Sequence, residues 1–283
     1  MRITGEESAY VSGGGSGIGR GLSLQLSRRG VKVGVCDIRV AEAEETVRQI
    51  EAEGGRAIAI RLDVSDQASV DEAADRIESE FGPVSIVCNN AGVAMHGTPL
   101  QDIELKEWEW VFGVNVYGVI HGIRTFVPRL LEAGKPAHIV NTASIGGFQV
   151  NPDFLTGAYS TTKYAVVALS EALKNELAET SIGVSVLAPA AVDTGIHLSE
   201  RSRPERLGGP YVRPENHFMG ELIKDSAKPE EIATRVLSAI EDGGFYIFTH
   251  PETREWLDRR FRNIQEAFTD PAIKPNSRPV AAG

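Results

Sequence analysis

Cysteine is scarce in this chain, with only Cys36 and Cys88, and both lie inside apolar runs that read as buried strands. Two such residues form neither a disulfide scaffold nor a metal-ligand pair, and their burial fits a reducing compartment. Long hydrophobic runs are missing too: no window of eighteen apolar residues occurs, so no membrane-spanning helix is expected. The first residues show no charged start followed by an apolar stretch and a small-residue cleavage site, and a cytoplasmic protein without a membrane partner is expected. An excess of positive charge is also lacking. The net charge of −10 offers no basic surface for phosphates, which argues against nucleic acid as a partner.

Internal repeats and low-complexity segments are absent as well, and what remains is a regular alternation. Short β-rich apolar runs near 9–12, 31–36, 57–61, 86–88, 138–142, 184–187 and 245–248 are separated by stretches of helical periodicity at 17–29, 40–53, 68–81, 110–131, 158–179 and 229–241. Strands that alternate with helices predict βαβ units and a parallel sheet. The strands lack the period-2 pattern of a sheet with one wet face, so helices are expected on both faces. The rhythm breaks twice. Residues 196–224, rich in Arg, Pro and Gly, are too long for a simple connection and are expected to form a substrate-binding loop or lid, and residues 270–283 read as a C-terminal tail. Composition and alternation together favour a single domain over 1–283.

Between the first strand and the first helix stands Ser12-Gly13-Gly14-Gly15-Ser16-Gly17-Ile18-Gly19. Glycines there permit a tight turn and let backbone N–H groups approach a diphosphate at the positive end of a helix. About twenty residues on, at the end of the second strand, Asp37 supplies a carboxylate at the spacing suited to adenosine ribose hydroxyls, where a 2′-phosphate would be repelled. Arg39, two residues later, is the side chain that could instead meet such a phosphate. NAD is therefore the expected cofactor.

Tyr159 and Lys163 stand at i and i+4 in a helical stretch and face the same way. Oxidising a secondary alcohol needs a base for the hydroxyl proton, and a phenol with a pKa of about 10 is a poor base at neutral pH unless a neighbouring ammonium favours its anion. Asn141-Thr142-Ala143-Ser144 ends a buried strand just upstream, and Asn115 sits in mid-helix, where asparagine is disfavoured unless it has a local role.

These segments resemble the short-chain dehydrogenase/reductase family in its three-glycine turn (Gly13, Gly17, Gly19), in Asp63-Val64, in Asn89-Asn90-Ala91-Gly92, and in the set Asn115, Ser144, Tyr159 and Lys163. The resemblance implies a Rossmann-type doubly wound parallel sheet of about seven strands. It makes Tyr159 the general acid/base, Ser144 the group that polarises the substrate oxygen, Lys163 the residue that lowers the Tyr pKa and holds the nicotinamide ribose, and Asn115 the holder of a relay water. Cofactor contacts are implied for Ser12, Gly13, Ser16, Gly17, Ile18, Gly19, Asp37, Asp63, Val64, Asn90, Ala91, Gly92, Pro189, Val192 and Thr194, besides Tyr159 and Lys163. Two positions depart from the family pattern: Ser12 replaces its threonine, and Ala190 replaces the glycine after Pro189, a change that bears on the local backbone because Gly accepts φ angles that Ala does not. A homodimer or homotetramer, assembled through the helices at 110–131 and 158–179, is also implied.

The substrate is less legible. Phe148 and Phe154, between Ser144 and Tyr159, and Met95, after the Asn-Asn-Ala-Gly segment, stand where the family builds its pocket and suggest a bulky apolar alcohol or ketone. His138–Ser144, Arg203–Arg206 and Tyr246–His250 resemble bacterial Cα-dehydrogenases that oxidise the benzylic alcohol of lignin-derived aryl ethers. His197, His217, Arg201, Arg203, Arg206 and Arg213 are expected to be solvated loop charges, and Trp108, Trp110 and Trp256 to be packing residues. Two rival readings are an NADPH-dependent ketone or ketoacyl reductase and a non-catalytic NAD-binding sensor; Asp37 speaks against the first and the complete catalytic set against the second.

Overall fold

A computed structural model describes residues 1–152, 154–211, 220–221 and 223–268. Parts of the expected 196–224 loop, with Arg213 and His217, and the whole 270–283 tail therefore lie outside the described residues. The chain divides into two compact units, Met1–Thr249 and His250–Gly283.

The first unit holds seven strands: β1 (Ser8–Ser12), β2 (Lys32–Asp37), β3 (Ala57–Arg61), β4 (Val84–Asn89), β5 (Ala137–Thr142), β6 (Ile182–Ala188) and β7 (Tyr246–Phe248). They lie in the order β3-β2-β1-β4-β5-β6-β7 and every neighbouring pair is parallel. Parallel strands need crossovers, and the helices that supply them are α1 (Gly17–Arg28), α2 (Val40–Ala52), α3 (Gln67–Phe81), α4 (Leu105–Phe112), α5 (Gly118–Ala133), α6 (Gly157–Glu176) and α7 (Pro229–Asp242). This is the Rossmann-type doubly wound sheet that the alternation predicts. Each strand agrees with its expected position to within two residues.

Both faces of the sheet are dry. On one, Leu22 and Leu26 of α1, Ile50 of α2 and Val236 and Ile240 of α7 cover Val11, Val33 and Ile86. On the other, Val70 and Ile77 of α3, Phe126 and Leu130 of α5 and Leu173 of α6 cover Tyr10, Val87 and Ile139. Each fully buried Leu, Ile, Val or Phe contributes roughly 1.5–3 kcal/mol, so two continuous layers of them fix the helices on the sheet. Cys36 and Cys88 are buried and free, as their strands predict, and burial pushes the Cys36 thiol well above its usual value.

Strand order reverses between β1 and β4: β2 and β3 extend to one side of β1, β5 to β7 to the other side of β4. A crevice therefore opens at the carboxyl ends of β1 and β4, the place where open α/β sheets take ligands. The second unit contains, among its described residues, a helical turn at Pro251–Thr253 and helix α8 (Arg254–Glu266). Helix α8 is not among the expected helices, although Leu257, Phe261 and Ile264 recur at helical spacing; of these only Leu257 is buried.

Candidate active site

The crevice is a cavity of about 400 Å3 that runs from the glycine turn to Tyr159 and Lys163. Gly13 and Gly17 adopt φ of +66° and +50°, and a Cβ on Gly19 would lie 2.0 Å from the Gly13 carbonyl oxygen, so the turn closes only with glycine there. Ser16 caps α1 in extended backbone with no side-chain hydrogen bond, which leaves the first N–H groups of that helix available to an anion.

Across the switch point the turn is tied to β4. The Ser12 hydroxyl accepts the backbone N–H groups of Asn90 and Ala91 at 2.9 and 3.1 Å, and the Asn90 amide donates to the Ser12 carbonyl at 3.0 Å. Ser12 thus supports the cavity from behind instead of lining it.

Asp37 is buried and its two carboxylate oxygens accept Gly15 N–H and Arg39 N–H, each at 3.0 Å. Burial outweighs these bonds and holds its carboxyl above the usual value. Each oxygen keeps a second lone pair, so the carboxylate can still accept from ribose hydroxyls. Asp63 and Val64 line the cavity below it. Asp63 is fixed by the Ser65 hydroxyl at 2.6 Å, and the Val64 carbonyl by the His121 ring at 2.8 Å.

At the other end, Lys163 is 2% exposed and donates from Nζ to the Thr142 carbonyl at 2.9 Å. Its ammonium lies 5.6 Å from the centroid of the Tyr159 ring. Burial lowers Lys163 to about 8 and raises the Tyr159 phenol above its usual value, the latter opposed by a hydrogen bond from Ser144. Ser144 Oγ also accepts Gly146 N–H at 3.0 Å, and the Pro189 carbonyl oxygen lies 3.4 Å away. Asn115 occupies a π-helical turn, Gly113–Tyr117, inserted between α4 and α5. Its amide donates to the Val93 carbonyl at 2.9 Å and to Thr162 Oγ1 at 3.0 Å, and its oxygen accepts Val93 N–H at 2.8 Å. A Cβ on Gly92 would be 3.4 Å from both Asn115 Oδ1 and Lys163 Nζ, which places those two groups around one point beside the cavity.

Of the residues expected to touch a cofactor, Gly13, Ser16, Gly17, Ile18, Asp37, Asp63, Val64, Asn90, Ala91, Gly92, Tyr159, Lys163, Pro189 and Thr194 line the cavity. Ser12, Gly19 and Val192 shape it from outside, Val192 being buried and paired with Ala227. Ala190 takes no positive φ, so the missing glycine leaves the backbone unstrained.

The expected substrate residues fare differently. Met95 is packed in a small core with Trp110, Ile103 and Leu207. Phe148 turns toward the sheet edge, where its ring meets Phe248 in a tilted contact at 5.0 Å and Tyr246 edge-on at 5.8 Å. Phe154 is partly exposed and does not line the cavity. The walls are instead completed by Val93, Trp110, Pro204 and Leu207, together with Arg201 and Arg206. The loop carrying the last four crosses the cavity: Arg201 pairs with Glu42 of α2 at 3.5 Å and Arg206 with Glu109 of α4 at 2.7 Å. Arg203 is buried, contrary to the expectation of solvated loop charges. It donates to the Leu207 carbonyl at 2.6 Å, lies 3.6 Å from Glu107 and covers the Trp110 ring at 5.8 Å. The Arg203–Arg206 resemblance set Arg203 and Arg206 apart from Arg201 and Arg213, but not from each other.

A family model described as short chain dehydrogenase matches residues 7–205. The chain is 35% identical over 268 residues to a C alpha-dehydrogenase of Sphingobium sp., an alignment covering 93% of this chain and 87% of that one. It is 36% identical over 258 residues to 1-deoxy-11-beta-hydroxypentalenate dehydrogenase of Streptomyces avermitilis, with 91% and 89% covered. Among solved structures, a short chain dehydrogenase/reductase of Burkholderia phymatum in complex with NAD superposes with a TM-score of 0.90 at 35% identity, covering 98% of this chain and 100% of that chain.

Proposed function

The chain belongs to the short-chain dehydrogenase family, and from that premise we propose that it oxidises a secondary alcohol to a ketone, reversibly, with NAD as its cofactor and a bulky apolar or aromatic substrate. The observation that carries this reading is that Tyr159, hydrogen-bonded to the buried Ser144, and Lys163 stand at one end of a cavity whose other end offers an uncapped helix N-terminus and Asp37.

Those residues fit the cofactor: the glycine turn and the free N–H groups of α1 suit a diphosphate, Asp37 suits ribose hydroxyls, and Lys163 and Thr194 flank the far end. Bound NAD⁺ supplies a hydride acceptor. The chain supplies the proton chemistry. Tyr159 takes the alcohol proton at its phenol oxygen while Ser144 donates a hydrogen bond to the same substrate oxygen. Burial makes the phenol a weaker acid, so a nearby positive charge has to offset it. Lys163, at about 8, remains protonated at neutral pH and provides that charge. Asn115 acts through position, holding the Val93 segment against α6.

A bulky substrate is supported by the apolar wall of Val93, Trp110, Pro204 and Leu207 and by a relative named for a hydroxylated carbon skeleton. A homodimer or homotetramer is supported by the exposed Tyr117, at the end of the π-helical turn, and Leu131 on α5. The test is the initial rate of NAD⁺ reduction with aryl-substituted against small aliphatic secondary alcohols. Turnover that favours the aryl series is expected. Bound NAD⁺ without turnover of any secondary alcohol would overturn the reading.

A further inference from the structure

At the Asp37 end of the cavity four charged side chains meet. Glu42, in the first turn of α2, receives Arg39 Nη2 at 2.6 Å and Arg201 Nη2 at 3.5 Å, both on its Oε1 atom. The site lies against the glycine turn: a Cβ on Gly15 would be 2.9 Å from both Asp37 Oδ2 and Glu42 Cβ. Asp37, Arg39, Glu42 and Arg201 all line the cavity. Their formal charges cancel, two carboxylates against two guanidiniums.

Arg39 and Arg201 are the cations that a 2′-phosphate on the adenosine ribose would need. Arginine is well suited to that task, since its planar fork binds phosphate oxygens in pairs. Here one carboxylate oxygen holds both. We propose that Glu42 is a second determinant of cofactor choice, which keeps Arg39 and Arg201 from a 2′-phosphate and so excludes NADP together with Asp37. Asp37 repels the phosphate directly; Glu42 withholds the groups that would compensate the repulsion. The inference rests on the reading that Asp37 faces the adenosine ribose. An acidic residue in the first turn of α2 also suits the helix dipole, but that role requires neither arginine and gives no preference between nucleotides.

The two roles separate in a binding experiment that needs no turnover. Adenosine 2′,5′-bisphosphate and adenosine 5′-monophosphate differ only in the 2′-phosphate, and calorimetric titration of each gives a ratio of affinities. The wild-type protein is expected to prefer the monophosphate. Glu42→Gln is expected to shift the ratio toward the bisphosphate by about tenfold at low salt, and adding Arg39→Ala and Arg201→Ala to that background is expected to cancel the gain. Glu42→Ala serves as a second variant, with circular dichroism establishing that each is folded. Equal wild-type affinities would overturn the Asp37 reading and the inference with it. A preserved wild-type preference that neither Glu42 variant moves would overturn the role of Glu42 and leave Asp37 standing. A gain that survives loss of both arginines would also overturn it.

Discussion

Tyr159 and Asp37 carry the sharpest consequences for single residues. Replacing Tyr159 with Phe removes the proton acceptor and leaves the cavity wall intact, so kcat is expected to fall by about a thousandfold while NAD⁺ affinity stays within a few-fold. Stopped-flow turnover and a separate binding titration check both halves. Asp37→Ala removes the like-charge contact with a 2′-phosphate, and kcat/KM for NADP⁺ relative to NAD⁺ is expected to rise by about a hundredfold, a shift read from steady-state rates with each cofactor. His138 concerns stability. It is 1% exposed, Nε2 lies 2.7 Å from Ser185 Oγ, and burial lowers it to about 4. The unfolded chain takes up a proton below its ordinary value of 6.5 that the folded chain refuses. Stability from this group is therefore full above that value and is lost as pH falls toward 4. Urea unfolding is expected to lose about 2 kcal/mol between about pH 7 and about pH 5, a loss that His138→Gln flattens.

Among the elements, the π-helical turn between α4 and α5 has the clearest task. A π-turn widens the helix locally and such turns concentrate at functional positions. Here it lets the buried Asn115 bond both polar groups of the Val93 backbone and Thr162 on α6, so one side chain joins three segments around the Tyr159 end of the cavity. Asn115→Ala would strand the buried Val93 N–H and C=O groups. A loss of about 2–4 kcal/mol in unfolding free energy is expected, with kcat lowered more than NAD⁺ affinity. Chemical denaturation and a KM-against-kcat comparison measure the two effects. The sequence marks Asn115 through its poor fit to a helix interior, whereas the register slip that makes it useful has no sequence signal. The loop over the cavity shows the same limit. Arg201, Arg203 and Arg206 read as loop charges, and nothing local states that Glu42, Glu107 and Glu109, on two other elements, lie beside them.

For the molecule as a whole, the doubly wound order puts the cofactor cavity at the reversal between β1 and β4 and leaves the π-helical turn and α5 with exposed apolar groups. Tyr117 is 54% and Leu131 48% exposed, surface that association with a second copy would cover. Light scattering is expected to give a multiple of the 30.6 kDa chain mass, and a particle of that single mass would remove the oligomer from the account.

Strand positions, the glycine turn and the place of Asp37 are determined by the sequence itself, because each depends on local periodicity or on spacing within one βα unit, while the set of Asn115, Ser144, Tyr159 and Lys163 was legible there through its resemblance to the family motifs. The residues that wall the cavity opposite the glycine turn and the charge cluster at Glu42 were decided only by tertiary structure. Met95 and Phe148 stand at suitable positions along the chain, yet an apolar side chain goes wherever it loses most contact with water, here into a small core and onto the β7 aromatics. Arg201 and Glu42 are far apart in sequence and meet because the loop after β6 folds back across the sheet to α2. Pairing of that kind depends on the packing of the whole molecule, and no local pattern of residues encodes it.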